Sequence, residues 1–181
     1  WEDEDLAIGL ARTYRWGGHS AWPLPLSVAQ HSLAVLALRR EAEPTGLTAR
    51  AELRELLHDA DEGLLGFDPL SVLKPFLGVG FHALAGRLQD AVFQRYGLTY
   101  WTADEKIEHK KADRIAAASE AVHVAGWTRD EVKHVLKIPF KPLERDPLMA
   151  TYGGTPWEPW APTVAAERFL KELKRIQKKL A

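Results

Sequence analysis

Helix-start signals recur along this chain and constrain its fold more than any other feature. A hydroxyl side chain stands three positions before Gln or Glu at Ser27–Gln30, Thr102–Glu105 and Thr128–Glu131. In this spacing the hydroxyl accepts a hydrogen bond from a backbone N–H of the first turn, and the Gln or Glu side chain reaches back to the capping residue. Alternating strand patterns are nearly absent. The sequence therefore predicts an all-α fold, a bundle of six to eight helices.

Capping residues, apolar spacing and glycine or proline breaks predict where the helices begin and end. Helices are predicted over Asp3–Tyr14, from Ser27 to about Glu41, from Thr48 through His58–Asp59 toward Glu62 with an end at Gly63, over Gly80–Tyr96, from Thr102 to Ala125, from Thr128 onward, and from Thr163 onward. Residues 1–181 are expected to form one domain, with an irregular Pro- and Trp-rich segment at 137–162 and a C-terminal helix at 163–180. The Trp157–Trp160 stretch is expected to wrap its own domain, with a lid as the alternative.

Composition limits the classes of function. The net charge is −1, so no global positive field favours a nucleic-acid polymer as partner. The chain has no cysteine, which excludes disulfides and thiolate chemistry and fits a cytoplasmic location. No apolar run approaches the roughly 20 residues that span a bilayer, and no membrane partner is expected. Because the chain begins at Trp1, loss of a leader stays open.

The adjacent residues His58 and Asp59 are the strongest chemical signal in the chain. An imidazole next to a carboxylate at a helix end can bind one metal ion together, although such a pair alone is a weak signal. His31 and Asp113 each lie on another predicted helix. Two neutral imidazoles and two carboxylates suit a borderline divalent cation and leave coordination positions for water and substrate. The ordered series favours a metal-dependent hydrolase.

The order His31, His58–Asp59, Asp113 on separate helices resembles the HD superfamily of metal-dependent phosphohydrolases. More narrowly, the chain is similar to bacterial HD-type 5'-deoxynucleotidases and to small HD deoxynucleoside triphosphate hydrolases. The matching pieces lie between about residues 5 and 125 and comprise Arg15–Trp16, Ser27–Ser32, Leu56–Glu62, Asp68–Pro69 with Lys74–Pro75, and Lys111–Asp113 with Glu120. Ser20–Leu26 is longer and richer in proline than the pattern, which leaves the base and the number of phosphates open.

The resemblance implies the reaction and its partners. His31, His58, Asp59 and Asp113 would hold one divalent ion, which can be manganese, cobalt, iron, nickel, zinc or magnesium. The implied activity is release of phosphate from a deoxynucleoside 5'-monophosphate by attack of metal-bound water. A small-molecule deoxynucleotide and further copies of the chain in a homo-oligomer are the implied partners. The alternatives are a deoxynucleoside triphosphate triphosphohydrolase and a non-catalytic module whose pocket senses a nucleotide.

The resemblance also implies roles for residues around the ion. Glu62 and Asp68 are general acid/base candidates whose roles are not divided. The alternatives are a solvated helix-end residue for Glu62 and a turn former for Asp68. Arg15 and Lys74 would bind phosphate oxygens, the first through a planar fork of donors and the second as a compact charge.

Two more residues carry predictions that are open to a structural alternative. Trp16 would pack near the sugar, where a bulky ring disfavours a 2'-hydroxyl, or else belong to the core. Glu120 follows Asp113 by two helical turns and would hydrogen-bond a ligand histidine from outside the coordination sphere. For Asp113 itself, the alternative is an ordinary surface pair with His109 on the same helix. The five histidines outside the motif, His109 among them, are expected to be structural or exposed.

Overall fold

The computed structural model describes residues 1–180, in which nine α-helices form and no strand occurs. The helices are α1 Asp3–Arg12, α2 Val28–Ala42, α3 Ala49–Leu56, α4 Ala60–Leu65, α5 Gly78–Arg95, α6 Ala103–His123, α7 Arg129–His134, α8 Met149–Tyr152 and α9 Pro162–Gln177, with 3-10 turns at Arg15–Gly18 and Lys74–Phe76. The all-α prediction is confirmed. Over the described part of the chain, no helix is both long and apolar enough to cross a membrane.

Hydroxyl caps begin the helices where the sequence predicted them. The Thr102 and Thr128 side chains accept from the backbone N–H three residues on, and Glu105 and Glu131 complete both capping boxes. Ser27 also accepts from the backbone N–H of Gln30. The Gln30 side chain, however, donates to the Glu158 carbonyl at 3.0 Å and accepts from the Trp160 N–H at 2.8 Å. It therefore anchors the Trp-rich segment on α2 instead of closing a capping box.

Nine helices exceed the predicted six to eight for two reasons. The chain leaves the helical path between α3 and α4, and a one-turn helix, α8, forms inside the segment predicted to be irregular. Gly63 does not end a helix but lies within α4, which stops at the left-handed Gly66 with φ 67°. The reason is a close approach to α1: a Cβ on Gly63 would lie 2.6 Å from Leu10 Cγ. Glycine at position 63 thus serves helix packing.

The main core lies between α1, α2, α3 and α9 and includes Leu6 and Phe169, both fully buried. Helix α6 packs on another face of α2. Trp160 packs against the main core, and Trp157 stacks on His123 with ring centroids 4.5 Å apart. The prediction that the Trp-rich segment wraps its own domain is confirmed, since its aromatic rings cover helices of the chain.

Candidate metal centre and cavity

The break between α3 and α4 turns His58 and Asp59 toward the same point. In a continuous helix neighbouring side chains diverge by about 100°. Here Asp59 is the residue before α4, with φ −113° and ψ 27°, and its side chain makes no capping hydrogen bond. Asp59 Oδ2 instead lies 3.1 Å from His58 Nε2. The predicted unbroken helix is wrong, and the break is what lets adjacent residues face one centre.

His31 on α2 and Asp113 on α6 reach this same centre. His31 Nε2 lies 3.3 Å from His58 Nε2, 3.6 Å from Asp59 Oδ2 and 3.4 Å from Asp113 Oδ1. One ligand atom each from His31, His58 and Asp113 lies within 4.8 Å of the others, which is close enough to share one metal ion. The group that could share an ion thus comprises His31, His58 and Asp113, and Asp59 Oδ2 lies beside the two imidazoles without belonging to that group.

Hydrogen bonds orient both imidazoles so that their Nε2 atoms face the centre. His31 Nδ1 lies 2.7 Å from Glu120 Oε1, and His58 Nδ1 lies 2.8 Å from the Glu55 carbonyl oxygen. Because both partners are acceptors, each Nδ1 donates, and a ring whose Nε2 is unprotonated presents a lone pair to the centre. Two such lone pairs beside two carboxylates suit a cation between them. The donor set therefore fits a divalent metal ion, and the hydrogen bond predicted for Glu120 is present.

The charges around the centre agree with this donor chemistry. Burial acts to lower the pKa of His31, but Glu120 and Asp113 outweigh it and raise this pKa to about 9. The ring therefore lies where positive charge is favoured. Burial acts to raise the pKa of Asp59, yet His58 and His31 hold it well below its usual range. Burial also acts to raise the pKa of Asp113, but the hydrogen bond with His31 holds it well below its usual range. Both carboxylates are ionised at neutral pH, as metal ligands must be.

Glu120 links the histidine to Arg15. Its Oε1 faces His31, while its Oε2 accepts from Arg15 Nε at 2.9 Å. Arg15 Nη1 also lies 3.3 Å from Asp68 Oδ2 and 3.9 Å from Asp59 Oδ2. Although burial opposes it, these carboxylates raise the pKa of Arg15. Arg15 is therefore fixed in place as a permanent cation at the edge of the centre.

Glu62 is buried on α4 and differs from the solvated helix-end residue that was the alternative. Its Oε1 accepts from Lys74 Nζ at 3.3 Å, and its Oε2 has no hydrogen-bond partner among residues 1–180. Burial, together with Asp59 and Asp68, raises the pKa of Glu62 well above its usual range. Burial likewise raises the pKa of Asp68. Two carboxyl groups with raised pKa values beside a cavity can hold and transfer protons.

A cavity of about 390 Å³ includes Asp59 and Asp113 in its wall. Its wall also carries five cationic side chains: Arg15, Lys74, Lys110, Arg114 and Lys137. Lys74 pairs with Glu62 and Lys110 with Asp113, whereas Arg114 and Lys137 form no ion pair with any described residue. The wall also includes apolar side chains, among them Trp16, Leu70, Ala117, Leu136 and Ile138. The lining suits a small ligand that is anionic at one part and apolar at another.

Trp16 belongs both to a buried cluster and to the cavity wall. It is 7% exposed, and its ring centroid lies 6.2 Å from that of Trp127. Trp16 and Lys137 adopt left-handed backbone conformations with φ 59° and 56°, which non-glycine residues rarely do. Such conformations cluster where a ligand is held. Trp16 therefore belongs to the core and also lines the cavity, while its packing near a sugar stays a prediction.

His109 and Glu55 form a second buried polar pair next to the centre, which sequence reasoning missed. His109 Nδ1 lies 2.7 Å from Glu55 Oε2, and both residues are 2% exposed. The His109 ring contacts the His58 ring, with centroids 5.0 Å apart, and stacks on Trp101 at 4.4 Å. Burial lowers the pKa of His109, although the hydrogen bond that it donates to Glu55 acts to raise it. A neutral imidazole thus lies against one of the candidate ligands.

The alternative that paired Asp113 with His109 is wrong. Asp113 Oδ1 faces His31, and its Oδ2 accepts from Lys110 Nζ at 3.0 Å. His109 lies one turn earlier on α6 and faces Glu55 instead. The four-residue spacing of His109 and Asp113 was the one sequence signal that could have placed both on the helix face toward the centre.

One comparison with known proteins places this chain in a family. No family model matches the chain. The chain is 39% identical over 145 residues to an uncharacterized protein of Rhodobacter capsulatus, and the alignment covers 80% of this chain and 73% of that protein. Identity at this level over most of both chains means that the two share a common fold and ancestry. The chain therefore belongs to the same family as this uncharacterized Rhodobacter capsulatus protein.

Proposed function

We propose that this protein is a metal-dependent phosphohydrolase of the HD superfamily, a 5'-deoxynucleotidase that releases phosphate from deoxynucleoside 5'-monophosphates. The observation that carries the proposal is the meeting of two imidazole Nε2 atoms and two carboxylates at the wall of a cavity lined by cations. The order of these residues along the chain, which resembles the HD pattern, supports the same function.

In this proposal His31, His58, Asp59 and Asp113 hold one divalent ion. A bound dication supplies positive charge to a phosphate oxygen and lowers the pKa of coordinated water toward neutrality. Arg15 and Lys74 bind further phosphate oxygens. Arg15 suits this role because Glu120 and Asp68 hold its guanidinium rigidly, so that little freedom is lost when a phosphate binds.

Glu62 and Asp68 are the groups proposed to move protons. Both are largely buried carboxyl groups with raised pKa values, so one can hold a proton for the leaving oxygen while the other accepts one. Lys74 orients Glu62 through its Oε1. Trp16, on the apolar wall, is proposed to face the sugar and disfavour a 2'-hydroxyl by its bulk.

A turnover screen tests the function. The protein is incubated with mono-, di- and triphosphates of each deoxynucleoside and ribonucleoside in the presence of manganese or cobalt, and both phosphate and triphosphate are measured. We expect phosphate from deoxynucleoside monophosphates, loss of activity on chelation, and no activity in His58→Ala. His123→Ala is the matched control, since His123 bonds the Leu143 carbonyl and stacks on Trp157 without contacting the cluster.

The other outcomes of the screen decide between the alternatives. Release of triphosphate would assign the reaction to a triphosphohydrolase that uses the same centre. Nucleotide binding without product, with every metal tried, would overturn hydrolysis and leave a nucleotide-binding module.

The expected homo-oligomer and cytoplasmic location stay predictions. Apolar side chains near the start of α5 are exposed, with Phe76 at 83% and Val79 at 89%. Large exposed apolar groups are typical of surfaces that contact another protein. The molar mass in solution, measured by light scattering, tests the oligomer.

A further inference from the structure

We propose that His109 and Glu55 are positioning residues of the metal centre, which together set the orientation of the His58 ring and the distance between α3 and α6. This inference rests on the metal site of the proposed function. Neither residue has an atom in the cluster of candidate ligands, and both are buried directly beside it.

Glu55 contacts the centre through its main chain. It lies in the last turn of α3, where carbonyl groups have no partner within the helix. Its carbonyl oxygen accepts from His58 Nδ1 at 2.8 Å. This hydrogen bond places the proton of the neutral ring on Nδ1 and leaves Nε2 free as a metal ligand.

The Glu55 side chain holds a second imidazole and an indole. Its carboxylate accepts from His109 Nδ1 at 2.7 Å and from Trp101 Nε1 at 3.0 Å. The His109 ring stacks on Trp101 with an interplanar angle of 24° and therefore has one orientation. Glu55 thus fixes His58 through its main chain and His109 through its side chain.

His109 contacts the ring of His58 directly. The two ring centroids lie 5.0 Å apart with planes at 65°, an edge-to-face arrangement. On its other side, the centroid of the His58 ring lies 5.3 Å from that of the His31 ring. Because His58 lies between two fixed rings, it cannot turn its Nε2 away from the centre without displacing one of them.

The same pair sets how closely α6 approaches α3. His109 and Asp113 lie one turn apart on α6, and the hydrogen bond from His109 to Glu55 ties this turn to α3. Asp113 then lies 3.4 Å from His31 Nε2. A site must hold its side chains within about 0.5 Å of the binding geometry, so a shift of α6 weakens the site even when every ligand remains.

Stability alone does not account for a polar pair at this position. Buried ion pairs and polar pairs contribute little net stability, and apolar side chains of similar size hold helices together as well or better. An apolar pair would not direct hydrogen bonds at a candidate ligand. The pair therefore predicts an effect on metal affinity that is separate from any effect on stability.

Two substitutions separate the ring from the hydrogen bond. His109→Phe keeps an aromatic ring between His58 and Trp101 but removes the donor to Glu55. His109→Asn keeps a donor close to the Nδ1 position but removes the ring. His123→Asn is the matched control, because His123 also combines a hydrogen bond, 2.7 Å to the Leu143 carbonyl, with aromatic stacking. Affinity for cobalt(II) is measured by competition with a chelator, together with the visible absorption of the cobalt complex and the unfolding temperature.

We expect at least one His109 variant to bind cobalt about 10- to 100-fold more weakly and to change the cobalt absorption bands, with less than about a twofold change in the control. A loss in His109→Asn alone assigns the effect to the ring, and a loss in His109→Phe alone assigns it to the hydrogen bond. If either variant does not fold, Glu55→Gln, which weakens the bond to His109 but keeps the carbonyl contact to His58, replaces it. Parental affinity and an unchanged spectrum in the folded variants would overturn this inference and leave the proposed function intact. Failure of the parent to bind cobalt or manganese would overturn both.

Discussion

The substitution Gly9→Ala is expected to destabilise the protein although alanine is the better helix former. A Cβ on Gly9 would overlap the carbonyl oxygen of Gly63 and lie 3.1 Å from its carbonyl carbon. These are backbone atoms, which cannot rotate away. Overpacking of this kind costs about 3 kcal/mol at the upper end of its usual range. The helix propensity of alanine returns about 1 kcal/mol. The expected net loss is about 2 kcal/mol of unfolding free energy.

This contact also bears on the candidate site. Thr13 Oγ1 donates to the Gly9 carbonyl at 2.9 Å and lies 3.4 Å from the carbonyl oxygen of Glu62. The crossing of α1 and α4 therefore fixes the turn of α4 that carries the Glu62 carboxyl group. If α1 and α4 move apart, we expect that carboxyl group to shift relative to Lys74 of the cavity wall.

Urea unfolding of Gly9→Ala beside Gly86→Ala measures the effect. A Cβ on Gly86, inside α5, would meet nothing within 4 Å, so this control should gain about 0.5–1 kcal/mol from helix propensity alone. For a chain of this size, a loss of about 2 kcal/mol lowers Tm by roughly 4–8 °C. The reasoning is refuted if Gly9→Ala is as stable as the parent while Gly86→Ala shows its expected gain.

Three further substitutions test the site and its surroundings. Glu120→Gln keeps the shape of the side chain but removes its charge, so metal affinity measured by chelator competition should fall about 10- to 100-fold, and unchanged affinity would contradict the role of Glu120. Lys137→Ala should raise the KM for a phosphorylated substrate about 5- to 10-fold with kcat nearly unchanged, whereas Lys106→Ala, an exposed lysine outside the cavity wall, should change neither. Burial acts to raise the pKa of Glu52, but hydrogen bonds from Arg40 and Lys179 lower it. The stabilising effect of the ionised Glu52 carboxylate is therefore complete above the unfolded pKa of about 4.3 and is lost as the pH falls through the lower folded pKa. We expect Glu52→Gln to flatten the rise of unfolding free energy with pH between about pH 3 and 5.

The convergence of the four candidate ligands was predictable from the sequence, but the local path of the chain was not. Each of His31, the His58–Asp59 pair and Asp113 lies on a helix that the sequence predicts, and the resemblance of their order to the HD pattern implied that they meet. Nothing local indicated the break after Leu56, since the apolar spacing continues through it and no proline or glycine lies between Thr48 and Gly63. A distant residue bonds both sides of the break: Gln89 donates to the Leu57 carbonyl at 2.9 Å and accepts from the Asp61 N–H at 3.3 Å, a tertiary contact that overrides helix propensity.

Pairs of residues that lie far apart in the sequence were the other unpredictable feature. Gly63 is a reasonable helix stop on local grounds, and only the approach of Leu10 on α1 shows why a glycine lies there. In the same way, Glu55 and His109 each read as an ordinary polar residue of an amphipathic helix. Their hydrogen bond depends on how α3 and α6 pack, and a single-sequence pattern does not contain that information.

One face of α6 explains how so few residues can organise a centre built from three stretches of chain. His109, Asp113 and Glu120 follow one another at spacings of four and seven residues, which keeps them on the same helical face. The first contacts the His58 ring, the second faces His31 Nε2, and the third accepts from His31 Nδ1 and Arg15.

Small side chains let that face come close. Ala112 and Ala116 of α6 pack against Val35 and Leu38 of α2, where larger residues would hold the two helices apart. We therefore expect Ala116→Leu to move α6 away from α2. It should reduce the free energy of metal binding at least as much as the free energy of unfolding, whose loss is seen as a lower Tm. Ala117→Leu, which changes the neighbouring half-buried residue on the cavity wall, is the matched control and should affect KM before metal affinity. Equal metal affinity in Ala116→Leu and the parent would show that the spacing of α6 and α2 does not control the centre.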